Sequence, residues 1–261
     1  MTYTYNTGTN RLQKIADTAP TGGTGSPQRN AGFNPGAASG SATYIYDANG
    51  NLSYDPYKDL SFLYNHLNQP KQMTIPVGTG GAERNVYLLY DYSGKKLRKT
   101  VNDQGTVLYT QDYINGIEYR TNGSGGALTL EAINHSEGRI TPNGATYQYE
   151  YDIKDHLVNT RLTFAVLNAN NLVDVPGDIL QENHYYSYGM LMNYTWMNNG
   201  ALTDNHYQYG DKELNEDFGI NLSDFGSRWY DATIGRWWSV DPMASNFSGY
   251  SPYNFVLNNP I

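Results

Sequence analysis

A phrase of alternating aromatic residues, then an acid or amide, then a turn, recurs along the chain and restricts it to strands joined by hairpins. It reads YTYNTGTNRL at 3–12, YIYDANGNL at 44–52, FLYNHLNQP at 62–70, LLYDYSGKKL at 88–97, YEYDIKDHL at 149–157 and, less completely, YQYGDKEL at 207–214. Rings at alternate positions of an extended chain share one face, because successive side chains reverse direction. An Asp or Asn after the strand bonds nearby backbone and starts a turn, and Gly accepts the positive φ that such turns need. In TYIYDANGNLSY, Tyr44 and Tyr46 share a face, Asp47 begins the turn, Gly50 relaxes it and Leu52 resumes an apolar strand. The unit at 207–214 departs from the pattern, with Gly210 where the acid is expected.

The stretch 143–166 carries the same signal more strongly. Tyr147, Tyr149 and Tyr151 fall on one side of a strand, and RLTFAV supplies another after the DHLVNT connection. Uneven spacing between units fits stacked repeats with insertions in surface loops. Residues 17–42, rich in Gly, Pro, Ser and Thr, read as the clearest insertion and as an exposed loop.

Composition agrees with an all-β chain. Apolar residues make up only 39% of the 261, yet 25 are Tyr, so cores and sheet faces must be built from rings that carry a hydroxyl. A net charge of -8 with only 17 Lys and Arg argues against nucleic acid, which demands a concentrated basic face. Cys is absent, so packing and backbone pairing alone must hold the sheet. No apolar segment approaches the roughly 18 residues of a membrane span. The opening MTYTYNTGTN lacks a charged and then apolar signal pattern, and the repeats make a piece of a longer protein the expected reading.

Short motifs for other chemistries are incomplete. Asp152, Asp155 and His156 sit together, but two acids and one His in a polar turn do not define a metal site. VGTGGAERN at 77–85 lacks the ending of a phosphate loop, and DANGNLSYD lacks the full EF-hand spacing. His135 and Ser136 have no nucleophile elbow around them. No cofactor and no metal are expected.

The stretch SRWYDATIGRWWSVDP at 227–242 concentrates aromatics and charge around a turn. Asp231 and Arg236 flank ATIG, so a tight hairpin sets them opposite each other. An exposed pair there contributes only about 0.2–1 kcal/mol, so Trp229, Tyr230, Trp237 and Trp238 are expected to dominate by packing. Arg228 or Arg236 is expected to stack on a ring, Gly235 to form the turn, and Pro242 to fix the backbone after Asp241. The competing reading makes Asp231 and Asp241 an acid pair sharing a proton, with Arg236 as electrostatic organiser and Asp224 a poorer substitute.

YGDKEL, LSDFGSRWYDATIGRWWSVDP and YSPYNFVLNNPI within 207–261, together with YEYDIKDHLVNTRLTF upstream, closely resemble the core module associated with Rhs and YD-repeat proteins, especially the form common among Bacteroidetes. The resemblance covers nearly the whole chain, most strongly at 147–164 and 207–261. It implies YD-repeat sheet over residues 1–206 and a terminal core module over 207–261. It further implies a curved antiparallel sheet within a larger β-shell, enclosing or presenting a C-terminal toxin or other payload, secreted or at the cell surface, with adjacent shell segments or a protein partner at its edges. In some members the core module supports aspartate-dependent self-cleavage near an Asp-Pro-x-Gly-Leu-like segment, and this sequence stops at NNPI before such a segment. Self-cleavage in the longer parent and a surface adhesion or glycan-binding module are the alternatives: rings packed beneath a curved sheet favour the shell, and exposed coplanar rings in a groove favour carbohydrate.

Overall fold

The structure, a computed structural model, describes residues 2–16, 43–167, 172–175, 177–192 and 204–260; the expected loop at 17–42 lies outside them. Strands β1 (Thr2–Tyr5) and β2 (Leu12–Ala16) form a separate hairpin. Then β3 (Ile45–Tyr46), β4 (Leu52–Asp55), β5 (Leu60–Tyr64), β6 (Pro70–Val77), β7 (Ala82–Tyr90), β8 (Lys96–Asp103) and β9 (Thr106–Ile114) follow one another. They continue into β10 (Ile117–Asn122), β11 (Leu128–His135), β12 (Gly138–Asn143), β13 (Thr146–Lys154), β14 (Thr160–Phe164) and β15 (Ile179–Glu182). All thirteen strands from β3 to β15 pair antiparallel in strict chain order, so every connection is local. The curved, all-β architecture expected from the repeats is what forms.

The repeat phrase forms one kind of turn at least four times. Asp47 accepts from the Asn51 amide, Asn65 from Leu67 and Gln69, Asp91 from Ser93 and Lys95, and Asp155 from Leu157 and Asn159. In each case the Asx amide also donates to the carbonyl four residues on. The side-chain oxygen thus satisfies amides that the reversal leaves free. Register shifts follow Leu63, Leu89, Val101, Glu118 and Ile153, and such bulges bend and twist the strands that carry them.

A second sheet comprises β16 (Glu213–Asn215), β17 (Leu222–Asp224), β18 (Trp229–Asp231) and β19 (Arg236–Trp237), again in sequential antiparallel order. One hydrophobic core joins the two sheets. It runs from Leu12 and Ile15 through Leu52, Leu60, Phe62, Met73, Val86, Leu88 and Val101 to Ile220, Leu222, Trp229 and Trp238. Alternation along β18 and β19 sends Trp229, Asp231 and Trp238 toward this core. Tyr230 and Trp237 face away, into a smaller cluster with Tyr209 and Phe255.

Candidate functional site

The densest chemistry lies in the seam between the sheets. Lys96 on β8 places its ammonium 2.6 Å from Glu213 Oε2 and 2.7 Å from Asp224 Oδ2. Lys99, three residues further along the strand, sits 3.0 Å from Asp217 Oδ2. The Tyr113 hydroxyl donates to Glu213 Oε1 at 2.7 Å, Tyr207 donates to Glu118 Oε1 at 2.6 Å, and Tyr109 donates to Asp217. Burial pushes the Glu213 carboxyl up, but Lys96 and Lys99 overcome it and hold the group down at about 2. Breaking such a buried pair by removing one member strands a charge, which costs about 3–5 kcal/mol. Asp224 therefore belongs to a structural ion-pair network, and its place as a substitute catalytic acid finds no support in this geometry.

The hairpin of β18 and β19 pairs Asp231 opposite Arg236, as the spacing around ATIG predicts. Their side chains, however, diverge. Arg236 donates to the Tyr5 hydroxyl at 3.2 Å and to the Asn10 carbonyl at 2.9 Å, and its guanidinium lies 5.4 Å from the Tyr5 ring and 5.5 Å from that of Tyr253. Asp231 turns into the core at 0% exposure, where Oδ2 meets Lys58 Nζ at 3.0 Å and Oδ1 accepts from the Thr233 amide and hydroxyl. The expected exposed Asp231–Arg236 pair is thus corrected: the large sheet covers Asp231 and supplies its cation, Lys58, while Arg236 reaches out to Tyr5 and Asn10.

Asp241 is held by a different cation, Arg228, at 3.0 Å. Arg228 in turn stacks 4.1 Å over the Trp237 ring, as stacking by one of the two arginines predicts. Asp231 and Asp241 therefore face different partners, and the acid that shares the surroundings of Asp231 is Asp55, at the end of β4. Asp241 lines a cleft of about 320 Å3 with Arg228, Phe247, Tyr250, Pro252 and Leu257. Pro242 follows it, with Met243 N donating to Asp241 Oδ1 at 2.8 Å.

The aromatics of this stretch are packed. Trp229 donates to the Tyr90 hydroxyl at 3.3 Å, and Trp238 meets Phe62 edge-on with ring centroids 4.2 Å apart. Trp237 contacts Phe225, Tyr230 and Phe255 at centroid separations of 5.1, 5.4 and 5.2 Å. Gly235 has φ +64°, and Tyr188 lies 3.4 Å from where its Cβ would stand. Tyr230 is fully buried, with its hydroxyl donating to the Tyr188 carbonyl at 2.7 Å.

Repeat tyrosines divide between two environments. Tyr46, Tyr64 and Tyr90 pack against the core, and Tyr64 donates to the Leu52 carbonyl at 2.6 Å. Tyr147, Tyr149 and Tyr151 instead stand in an exposed row on β13. Their cross-strand neighbours are Pro142, Ile140 and Phe164, which offer little hydrogen bonding to a sugar. Of Asp152, Asp155 and His156, Asp155 caps its turn, whereas Asp152 lies on β13 and accepts from Thr163 and Asn205. Among the described residues no cluster of three or more His, Asp or Glu is placed to hold a metal, and no helix is long and apolar enough to cross a membrane.

Sequence reasoning missed Asp55, Lys58, Lys96, Lys99 and Glu213. NLSYDPYKDL carries an acid and a lysine on a hairpin turn, which by itself reads as solvated; only the covering sheet buries it.

No protein-family model matches the chain. It is 28% identical over 155 residues to toxin subunit YenC1 of Yersinia entomophaga, covering 57% of this chain and 15% of that protein. To toxin subunit YenC2 of the same organism it is 26% identical over 182 residues, covering 66% of this chain and 18% of that protein. Among solved structures, TcdB2–TccC3 aligns with TM-score 0.66 at 22% identity over 83% of this chain and 11% of that one. A Photorhabdus luminescens Tc holotoxin pore carrying a substituted TccC3 aligns with TM-score 0.67 at 21% identity over 83% of this chain and 10% of that one. The chain thus has the fold of a part of these toxin-complex proteins and sequence similarity to toxin subunits, and it spans less than a fifth of the length of the curated relatives it matches.

Proposed function

We propose that this chain is a wall segment of a toxin-enclosing β-shell, with residues 1–206 continuing the repeat sheet and residues 207–261 folding back as a closing module. The observation that carries the reading is the seam: sequential hairpins form one thirteen-stranded sheet, and a terminal sheet is bolted onto one face of it by buried ion pairs. A wall needs that combination, since each repeat buries its apolar face against a neighbour while a cap must hold against the whole. Similarity to toxin subunits supports a payload, and the edges of the sheet support adjacent shell segments as partners. The finer assignment, an Rhs/YD-repeat protein of the Bacteroidetes type acting outside the cell, rests on the motifs at 147–164 and 207–261.

The test uses a longer parent carrying a C-terminal payload. Protease digestion of the intact protein should spare the payload, and Lys96→Met together with Lys99→Met should render it digestible. Equal payload protection with the seam broken would argue against a wall role.

A second reading, aspartate-dependent self-cleavage in the parent, is favoured by one observation. Asp241, with its side chain 31% exposed, opens onto the cleft beside Arg228. Loss of cleavage in the parent on Asp241→Asn, with folding retained, is the expected result of that reading.

A further inference from the structure

The turn between β4 and β5 carries one buried acid, Asp55, and a cation, Lys58, that pairs with a second buried acid on β18. Asp55 is 1% exposed and Asp231 0%. Asp55 Oδ1 accepts from the amides of Tyr57 at 2.8 Å and Lys58 at 3.2 Å, which fixes the turn and aims Lys58 inward. The Lys58 ammonium then meets Asp231 Oδ2 at 3.0 Å and donates to the Ile220 carbonyl at 2.9 Å. One side chain of the large sheet thereby grips two separate segments of the covering sheet. Two carboxylates against one ammonium leave a surplus negative charge where water is excluded, and an uncompensated buried charge is costly.

We propose that Asp55, Lys58 and Asp231 form a proton-operated latch, in which uptake of one proton by this buried trio tightens the terminal hairpin onto the large sheet. Protonating Asp55 removes the repulsion between the acids while the ion pair of Lys58 with Asp231 is kept.

The groups around Asp55 agree. On its own turn stand Lys58 and Tyr57, whose hydroxyl is engaged with Ile15, and from β18 comes Asp231. The phenols of Tyr44, Tyr46 and Tyr54 complete the surroundings, and burial raises all three so that they stay neutral. Arg236, opposite Asp231 in the ladder, is drawn away toward Tyr5 and Asn10. Burial pushes the Asp55 carboxyl up to about 6, with Lys58 opposing and Asp231 adding to the rise. A folded-state value above the unfolded one means that the contribution is present in full below about 4 and is lost as pH rises through about 6. Acidification therefore closes this latch, in the opposite sense to an acid-labile salt bridge.

The experiment follows the amide of Leu52, which donates to the Trp238 carbonyl at 2.7 Å across the seam and exchanges only when the hairpin lifts. In the intact chain, hydrogen exchange corrected for its intrinsic rate should show an opening constant about tenfold smaller at about pH 5 than at about pH 7.5. Asp55→Asn should abolish that dependence, and Asp231→Asn should move it to lower pH. A 13C titration of the Asp55 carboxyl in the unsubstituted chain decides the matter even if either variant fails to fold, with a midpoint well above that of the exposed carboxylates expected. An ordinary carboxylate midpoint, a pH-independent opening, or the same pH dependence in Asp55→Asn would each overturn the latch.

Discussion

Lys96 and Glu213, 117 residues apart in sequence, meet at 2.6 Å in the buried seam between the two sheets. Their pairing has a defined pH signature. The Glu213 carboxyl, burial notwithstanding, is held at about 2 by Lys96 and Lys99, below its ordinary 4.5. Its stabilising contribution is therefore present above about pH 4.5 and lost as pH falls toward about 2. Glu213→Gln should cost about 1.5–3 kcal/mol at neutral pH, because Lys96 and Lys99 lose a shared charged acceptor in a dry site while keeping Asp224 and Asp217. Acid titration of stability by denaturant unfolding should show a flatter acid limb in that variant than in the parent chain.

Trp237→Ala should destabilise more than Asp231→Asn, by a margin that the buried setting of Asp231 narrows. Removing the indole deletes contacts to Phe225, Tyr230 and Phe255 and strips Arg228 of its platform, a loss of about 3–5 kcal/mol. Asp231→Asn weakens charge-assisted bonds to Lys58 and Thr233, worth about 1.5–3 kcal/mol, while Lys58 keeps its bond to the Ile220 carbonyl. Equilibrium unfolding of the two variants measures the order.

Gly50→Ala should be far costlier than Gly8→Ala. Both glycines have positive φ, +88° and +71°, so both substitutions strain the backbone by about 1–2 kcal/mol. Only at Gly50 does the added carbon also meet neighbours, Val240 at 2.9 Å and the Tyr253 hydroxyl at 3.0 Å, both from the terminal module. Thermal unfolding should separate the two by several degrees, and exchange at Leu52 should rise only in Gly50→Ala.

The 261-residue chain should remain intact on incubation between about pH 4 and 8. Asp231 is sealed and bound to Lys58, and Asp241 is bound to Arg228, so the two do not act as one acid pair on a peptide carbonyl. Intact-mass measurement over time, alongside Asp241→Asn, checks this. Cleavage that disappears in the variant would show that Asp241 is a competent acid despite its ion pair.

The hairpins are written into the local sequence. An Asx residue after alternating rings dictates its own turn through bonds to the next few amides, so the reversals at Asp47, Asn65, Asp91 and Asp155 are legible where they stand. Period-two alternation likewise tells which residues share a face, including Trp229 with Asp231. It does not tell which face will be covered. That choice belongs to the tertiary structure, because the second sheet comes from residues far along the chain and buries one side of the first. The covering sheet turns Asp231 from an expected surface partner of Arg236 into a buried partner of Lys58, and it makes Lys96, Lys99 and Glu213 a dry network. The row of Tyr147, Tyr149 and Tyr151 has the same local pattern as the buried repeat tyrosines and remains exposed. Local pattern sets the direction of a side chain; only long-range packing decides whether water or protein meets it there.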